Sequence, residues 1–196
     1  LIIGFPNETM SQIRDTINMS TQMALDWFTV HLLTPLPSTE IYDQMVEAGK
    51  IKKGKLDLGG ENLGYMYSAR QGERQRKIEE KNKIKSKDFT NLLNANKDYV
   101  PTKKELNDLW FLADYYINYK PIFEQKNKSK LLKLECFLTD ISDRMTRNNP
   151  LSNYFLSIVK EKLNKSSEAK NRMLLAREHL GKSSYWKQRF KTLNLN

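Results

Sequence analysis

Hydrophobic positions along this chain fall into three regimes. In the first, Leu1, Ile2 and Ile3 form a continuous apolar run, as expected of a strand covered on both faces. Gly4 and Pro6 end it, one by freeing the backbone and the other by stiffening it. Thr9 and Gln12 make a T-x-x-Q capping box, and Ile13, Ile17 and Ala24 then recur at helical spacing. Residues 27–33 alternate, with Trp27, Thr29, His31 and Leu33 on one face and Phe28, Val30 and Leu32 on the other. The all-apolar set is expected to face helices, which turns Thr29 and His31 toward the lumen of a barrel. Thr34-Pro35-Leu36-Pro37 is a proline-stiffened turn. Ser38 or Thr39 caps the helix that follows, whose buried stripe is Ile41, Met45 and Ala48 and whose end is Gly49. Strands alternating with helices read as the repeating unit of a parallel α/β barrel or open sheet. Ligand chemistry in such folds gathers at the carboxyl ends of the strands, here GFPNET and TPLPST.

The second regime, residues 53–87, is basic and glycine-punctuated, and its part from Arg70 to Lys87 is almost devoid of apolar residues. It reads as a linker or a solvated helix. Gly59-Gly60 lacks the strand–turn–helix setting of a phosphate-binding loop, and Tyr65, Met66 and Tyr67 are expected to tuck against the first segment. The third regime, residues 88–196, is helical throughout. Leu92, Leu93 and Val100 cluster around a short element. Pro101 and Thr102 start a helix with Leu106, Leu109, Trp110, Leu112, Ala113 and Tyr116 on a broad apolar face, and Pro121 closes it. A further helix spans 128–145, with Leu131, Leu134, Phe137, Leu138, Ile141 and Met145 inward. Asn148-Asn149-Pro150 is a turn, and Trp186 and Phe190 mark a last short amphipathic helix.

The stretch from Asn149 to Ser183 resembles one tetratricopeptide repeat. Leu156 with the small Ser157, then Ala169, Met173 and Ala176, fall where that motif wants large and small residues, the small ones letting two antiparallel helices approach closely. A free-standing solenoid needs about three such repeats, so a single helical hairpin packed on its neighbours is expected. His179 sits in a last helical turn, where a cation is favoured, and has no nearby metal-binding partner in the sequence.

Charge changes the picture little. The net +10 is uneven, since residues 1–50 hold two basic against six acidic residues, leaving +14 for the rest. Such asymmetry can mark an acidic partner. A nucleic-acid stripe would interleave aromatics, and residues 71–88 contain none, so a solvated lysine-rich surface is the expectation and nucleic acid is disfavoured. No apolar run approaches the ~20 residues of a membrane span. The lone cysteine, Cys136, rules out an internal disulfide and suits a reducing cytoplasm; its default setting is a small buried side chain.

LIIGFPNET, followed about two dozen residues on by TPLPSTEIYDQMVEAGKI, resembles the second half of the barrel in radical S-adenosylmethionine enzymes. The resemblance covers roughly residues 1–52, and PLPSTEIYD is most similar to the group that often carries an upstream cobalamin-binding domain. It implies a partial (β/α) barrel using S-adenosylmethionine and a 4Fe–4S cluster, with cobalamin as an added cofactor if that upstream domain is there. In that family the isoleucine two places before the turn glycine packs on adenine, which falls on Ile2 with Gly4 beside it. The turn after the sixth strand passes the adenine, which falls on Leu33, Thr34 and Pro35. Where most relatives have glycine before Thr-Glu this chain has Ser38. His31, if it lines the lumen, could touch substrate or transfer a proton; an ordinary hydrogen bond to a neighbouring strand is the alternative. The family's CxxxCxxC is absent from this sequence, which assigns it no metal ligand. The chain begins inside a strand, so it reads as the C-terminal piece of a longer enzyme, inactive alone and of unknown substrate. A basic tetratricopeptide-like module for docking protein or RNA is the alternative from another class. A tRNA methylthiotransferase shares the GFPxET turn, but the helical tail counts against it.

Overall fold

A computed structural model describes residues 1–23, 25–49, 51, 93, 98–146 and 149–195. The expected linker at 53–87, the glycine pair within it, the aromatics at 65–67, Ala24, Leu92 and Asn148 lie outside the described residues.

Two short strands, β1 (Ile2–Ile3) and β2 (His31–Leu32), flank the helix α1 (Met10–Met23). They pair in parallel, Ile2 opposite His31 and Ile3 opposite Leu32. No third strand joins them among the described residues. What stands is an α/β segment with one parallel pair, followed by α2 (Glu40–Glu47) and a helical tail.

In the tail, α3 (Lys103–Asp114) runs on through a π-helical turn at Tyr115–Tyr119 into a 3-10 turn at Lys120–Phe123. Next come α4 (Lys128–Asp140) with a second π turn at Ile141–Met145, then α5 (Pro150–Lys162), α6 (Ser166–Gly181) and α7 (Ser184–Thr192). Local chemistry sets these bounds. Thr102 and Glu105 close a full capping box on α3, which satisfies two otherwise orphaned amides. Asn127, Asn149 and Ser183 cap α4, α5 and α7. The Thr9/Gln12 box is half formed: Gln12 accepts from the Thr9 amide, while the Thr9 hydroxyl bonds Ser11. The first α1 donors are taken instead by the tail, Met10 N–H by the Tyr99 carbonyl and Ser11 N–H by the Asp98 carboxylate.

One core draws on both parts. Ile3, Met10, Ile13, Ile17, Val30 and Leu32 from the first meet Leu109, Leu112, Leu138 and Phe155 from the second. As expected, Val30 and Leu32 face the helices. Several inward assignments change. On α2 Tyr42 is buried and Ala48 exposed. Val100, Phe137 and Met145 are exposed. The π turn at Ile141–Met145 adds a residue to the helical turn, so the stripe of α4 loses its phase there. Cys136 is exposed, not buried, because it lies between the inward positions Leu134 and Leu138.

The α5–α6 hairpin forms as the repeat-like pattern implied, with Ser157, Ala169 and Ala176 buried. Beside it lies an ionic cluster. Lys160 Nζ donates to Glu135 Oε1 at 2.7 Å and also to Glu168, and Lys165 Nζ donates to Glu135 Oε2 at 2.8 Å. Burial pushes the Glu135 carboxyl up, but its hydrogen bonds from the two lysines outweigh this and hold it below the usual range. The Lys160 and Glu135 side chains are only 8% and 13% exposed, Glu168 57%. Removing one partner of a buried pair strands the other charge. Glu135→Gln is therefore expected to cost ~3 kcal/mol in urea unfolding, and Glu168→Gln less than ~1 kcal/mol. Equal losses would mean that the cluster behaves as a surface pair.

Candidate functional site

Parallel pairing brings the two expected turns to the same end of the sheet. Leu33 N–H donates to the Ile3 carbonyl at 2.8 Å, so Gly4–Phe5 and Leu33–Pro35 leave the strands side by side. The first turn closes on itself: Glu8 Oε2 accepts from both Gly4 and Phe5 amides. Gly4 has φ +91°, and a Cβ there would meet Leu106 Cδ1 at 3.4 Å. Glycine is thus favoured by the left-handed backbone, before any ligand is considered, while a Cβ would make only ordinary contact with α3.

Each of the expected site residues can now be located. Ile2 is 49% exposed and shares a face with His31 across the pair. His31, Leu33, Thr34 and Pro35 are half-buried, and Gly4 is buried. The His31 imidazole makes no hydrogen bond to the described residues. Thr39, not Ser38, caps α2, accepting from the Tyr42 amide. Ser38 takes φ +67°, the left-handed conformation that suits a glycine at that position.

Trp27 departs from the expected lumen face. Its ring is edge-on to Tyr119, 5.4 Å between centroids, and stacked with Phe137 at 5.9 Å. It forms part of a pocket of ≈ 210 Å³ between the segment before β2, α3, α4, α5 and α7. Trp110 and Trp186 line it as well, so every tryptophan of the chain borders one cavity. Two carboxylates reach it, Asp114 and Asp140. Asp114 Oδ1 accepts from Asn118 Nδ2 at 2.7 Å. Burial pushes this carboxyl up to about 6 against that hydrogen bond. Burial and the Asp114 charge together push the Tyr119 hydroxyl well above its usual value. Asp140 sits at the rim beside Arg144, 3.2 Å away. Sequence reasoning missed this cavity because its walls come from five separate elements. The one available signal was three tryptophans, spaced too far apart for any periodic pattern.

Among the described residues, no three His, Cys, Asp or Glu side chains are grouped as ligands to a metal ion. No protein-family model, curated protein or solved structure matches this chain.

The raised Asp114 value has a signed consequence. The native state holds the proton more tightly than the unfolded chain, so stability is lost as pH rises from 3.8 to about 6, and the full cost of the carboxylate stands above that. Asp114→Asn, which keeps an acceptor for Asn118, is expected to be more stable than the parent at pH 7 by on the order of 2–3 kcal/mol. The advantage should shrink through the window from about 6 down to 3.8. Paired denaturant curves across that range check it, and a pH-independent difference would contradict it.

Proposed function

We propose that this chain is part of a radical S-adenosylmethionine enzyme, in which residues 1–49 contribute the last strands of a partial (β/α) barrel. The observation that carries the reading is the parallel pairing that sets the GFPNE and TPLP turns at one end of the sheet. Two further features support it. The outer edge of the β2 segment is closed by side chains instead of a strand, Asn118 on Phe28 and Trp110 on Val30, as suits the last strand of an open barrel. Exposed Ile2 and Phe5 leave apolar surface beside the strand ends, which fits an adenine ring, with Gly4, Leu33, Thr34 and Pro35 as its neighbours. His31, beside Ile2, is then the substrate-facing group.

The 4Fe–4S cluster does not fit the residues of this chain. Its sole cysteine, Cys136, lies on α4, and the ligands would come from an upstream segment; no step is derived through it. Cobalamin would likewise need a domain beyond this sequence, and the cytoplasm is the compartment that suits a cluster of this kind. In the alternative reading of the tail as a basic docking module, Lys160, Lys165, Arg172 and Arg189 would contribute little, because each is engaged by carboxylates of the tail itself.

The test is the parent protein, purified and reconstituted without oxygen, with a strong reductant and S-adenosylmethionine. It should release 5′-deoxyadenosine, and Gly4→Val, by displacing the turn about an ångström, should cut the rate by ~10²-fold. A reading frame without CxxxCxxC, or a reconstituted protein that forms no 5′-deoxyadenosine, overturns the proposal.

A further inference from the structure

The aromatic pocket lies on the opposite side of β2 from the strand-end turns. Trp27 and Thr29 on its wall precede the strand, whereas residues 33–35 follow it. It is therefore a second place, separate from the one proposed above. Its chemistry is uncommon for a core defect. Genuinely empty cavities are apolar, and polar ones hold water or a ligand. Here three indoles, Tyr119 and Phe137 border the space together with a carboxylate. Asp114 Oδ1 is held by Asn118, and Oδ2 has no donor among the described residues. Arg189, which lies over Phe111 on the pocket wall, is committed to Asp108 and to the faces of Phe111 and Tyr185, at 4.6 and 4.8 Å. Arg144 pairs with Asp140 at the rim. Among the described residues the interior carboxylate thus lacks a counter-charge, and it shares the pocket with electron-rich rings.

We propose that this pocket binds a small organic cation, an alkylated ammonium group, seated against the tryptophan rings with Asp114 as its counter-ion. Three physical arguments select that class. Aromatic faces attract cations through the ring quadrupole, tryptophan most strongly. A half-desolvated carboxylate needs a positive partner. The volume of ≈ 210 Å³ is below the roughly 300 Å³ of sites for drug-sized ligands, which limits the occupant to a compact head group. An inorganic cation is disfavoured because hard ions want several oxygens, and among the described residues only two carboxylates reach the space. Burial of the Asp114 carboxyl, which pushes its pKa up, fits the same account: a desolvated group is kept where binding uses it.

The chain reports on the site by itself, because all its tryptophans line the pocket. Choline chloride is titrated against the full chain at constant ionic strength while tryptophan emission is followed. Its uncharged isostere, 3,3-dimethylbutan-1-ol, is titrated in parallel. The expected result is a saturable change with choline and at least ~10-fold weaker binding of the neutral compound. Asp114→Asn should abolish that discrimination while far-ultraviolet circular dichroism stays unchanged. Equal binding of the two compounds by the parent chain would make the site an apolar cavity only and overturn the proposal. So would the absence of a saturable change, or cation selectivity that survives Asp114→Asn. The comparison of choline with its isostere needs no variant. It is also independent of the barrel reading, because it requires neither cluster nor S-adenosylmethionine.

Discussion

The Phe28 backbone hands both of its hydrogen-bonding groups to a single side chain. Its amide donates to Asn118 Oδ1 and its carbonyl accepts from Asn118 Nδ2, each at 2.8 Å. Two residues on, the Val30 carbonyl accepts from Trp110 Nε1 at 2.9 Å. A two-residue parallel pair has no independent stability, and buried backbone groups must find partners. The tail meets that demand by presenting one amide side chain as if it were the edge of a neighbouring strand. Asn118 is itself buried, and its remaining proton goes to Asp114. The carboxylate of the aromatic pocket and the edge of the sheet are therefore joined by one residue.

That junction explains why the helical tail is not an appendage. Leu106 sits against Gly4, and Asp98 and Tyr99 receive the first amides of α1. Their effect is to fix the helix and both turns that follow the strands. Farther out, α5 and α6 contact through small residues and are tied to α4 by the Glu135 cluster. Phe155 stands at the centre, with Tyr115, Tyr119, Phe123 and Tyr154 within 5.1–6.3 Å between ring centroids. A shift of α4 or α5 would thus reach the pocket wall through Tyr119 and Phe137.

Much of the local structure was legible in the sequence because it is encoded at short range. Thr102 and Glu105 stand at capping-box spacing, and the box forms. Gly49 ends α2 with φ +66°, and the hairpin carries its small residues where the pattern put them. Contacts across about ninety residues left no such trace. Nothing in the run YYINY predicts that Asn118 will serve Phe28. Likewise nothing near residue 98 predicts a cap for α1. The π turns were equally hidden, and they explain why the inward stripe of α4 fails at Met145. Ile2, Gly4, Leu33, Thr34 and Pro35 rested on a motif resemblance and His31 on strand alternation; the parallel register pairs Ile2 with His31 and brings Gly4 and residues 33–35 to one end of the sheet. The pocket was illegible because no two of its tryptophans share an element.

Amide hydrogen exchange on Asn118→Ala tests whether Asn118 holds the strand pair. The Phe28 amide should lose its protection in that variant. The amides of His31 and Leu33, which bond Leu1 and Ile3 across the pair, should lose theirs with it, by roughly 10- to 100-fold. Amides of the α5–α6 hairpin should keep their protection, which marks the change as local. If Phe28 alone opens while His31 and Leu33 stay protected, the parallel pair stands without the tail, and the dependence argued here is contradicted.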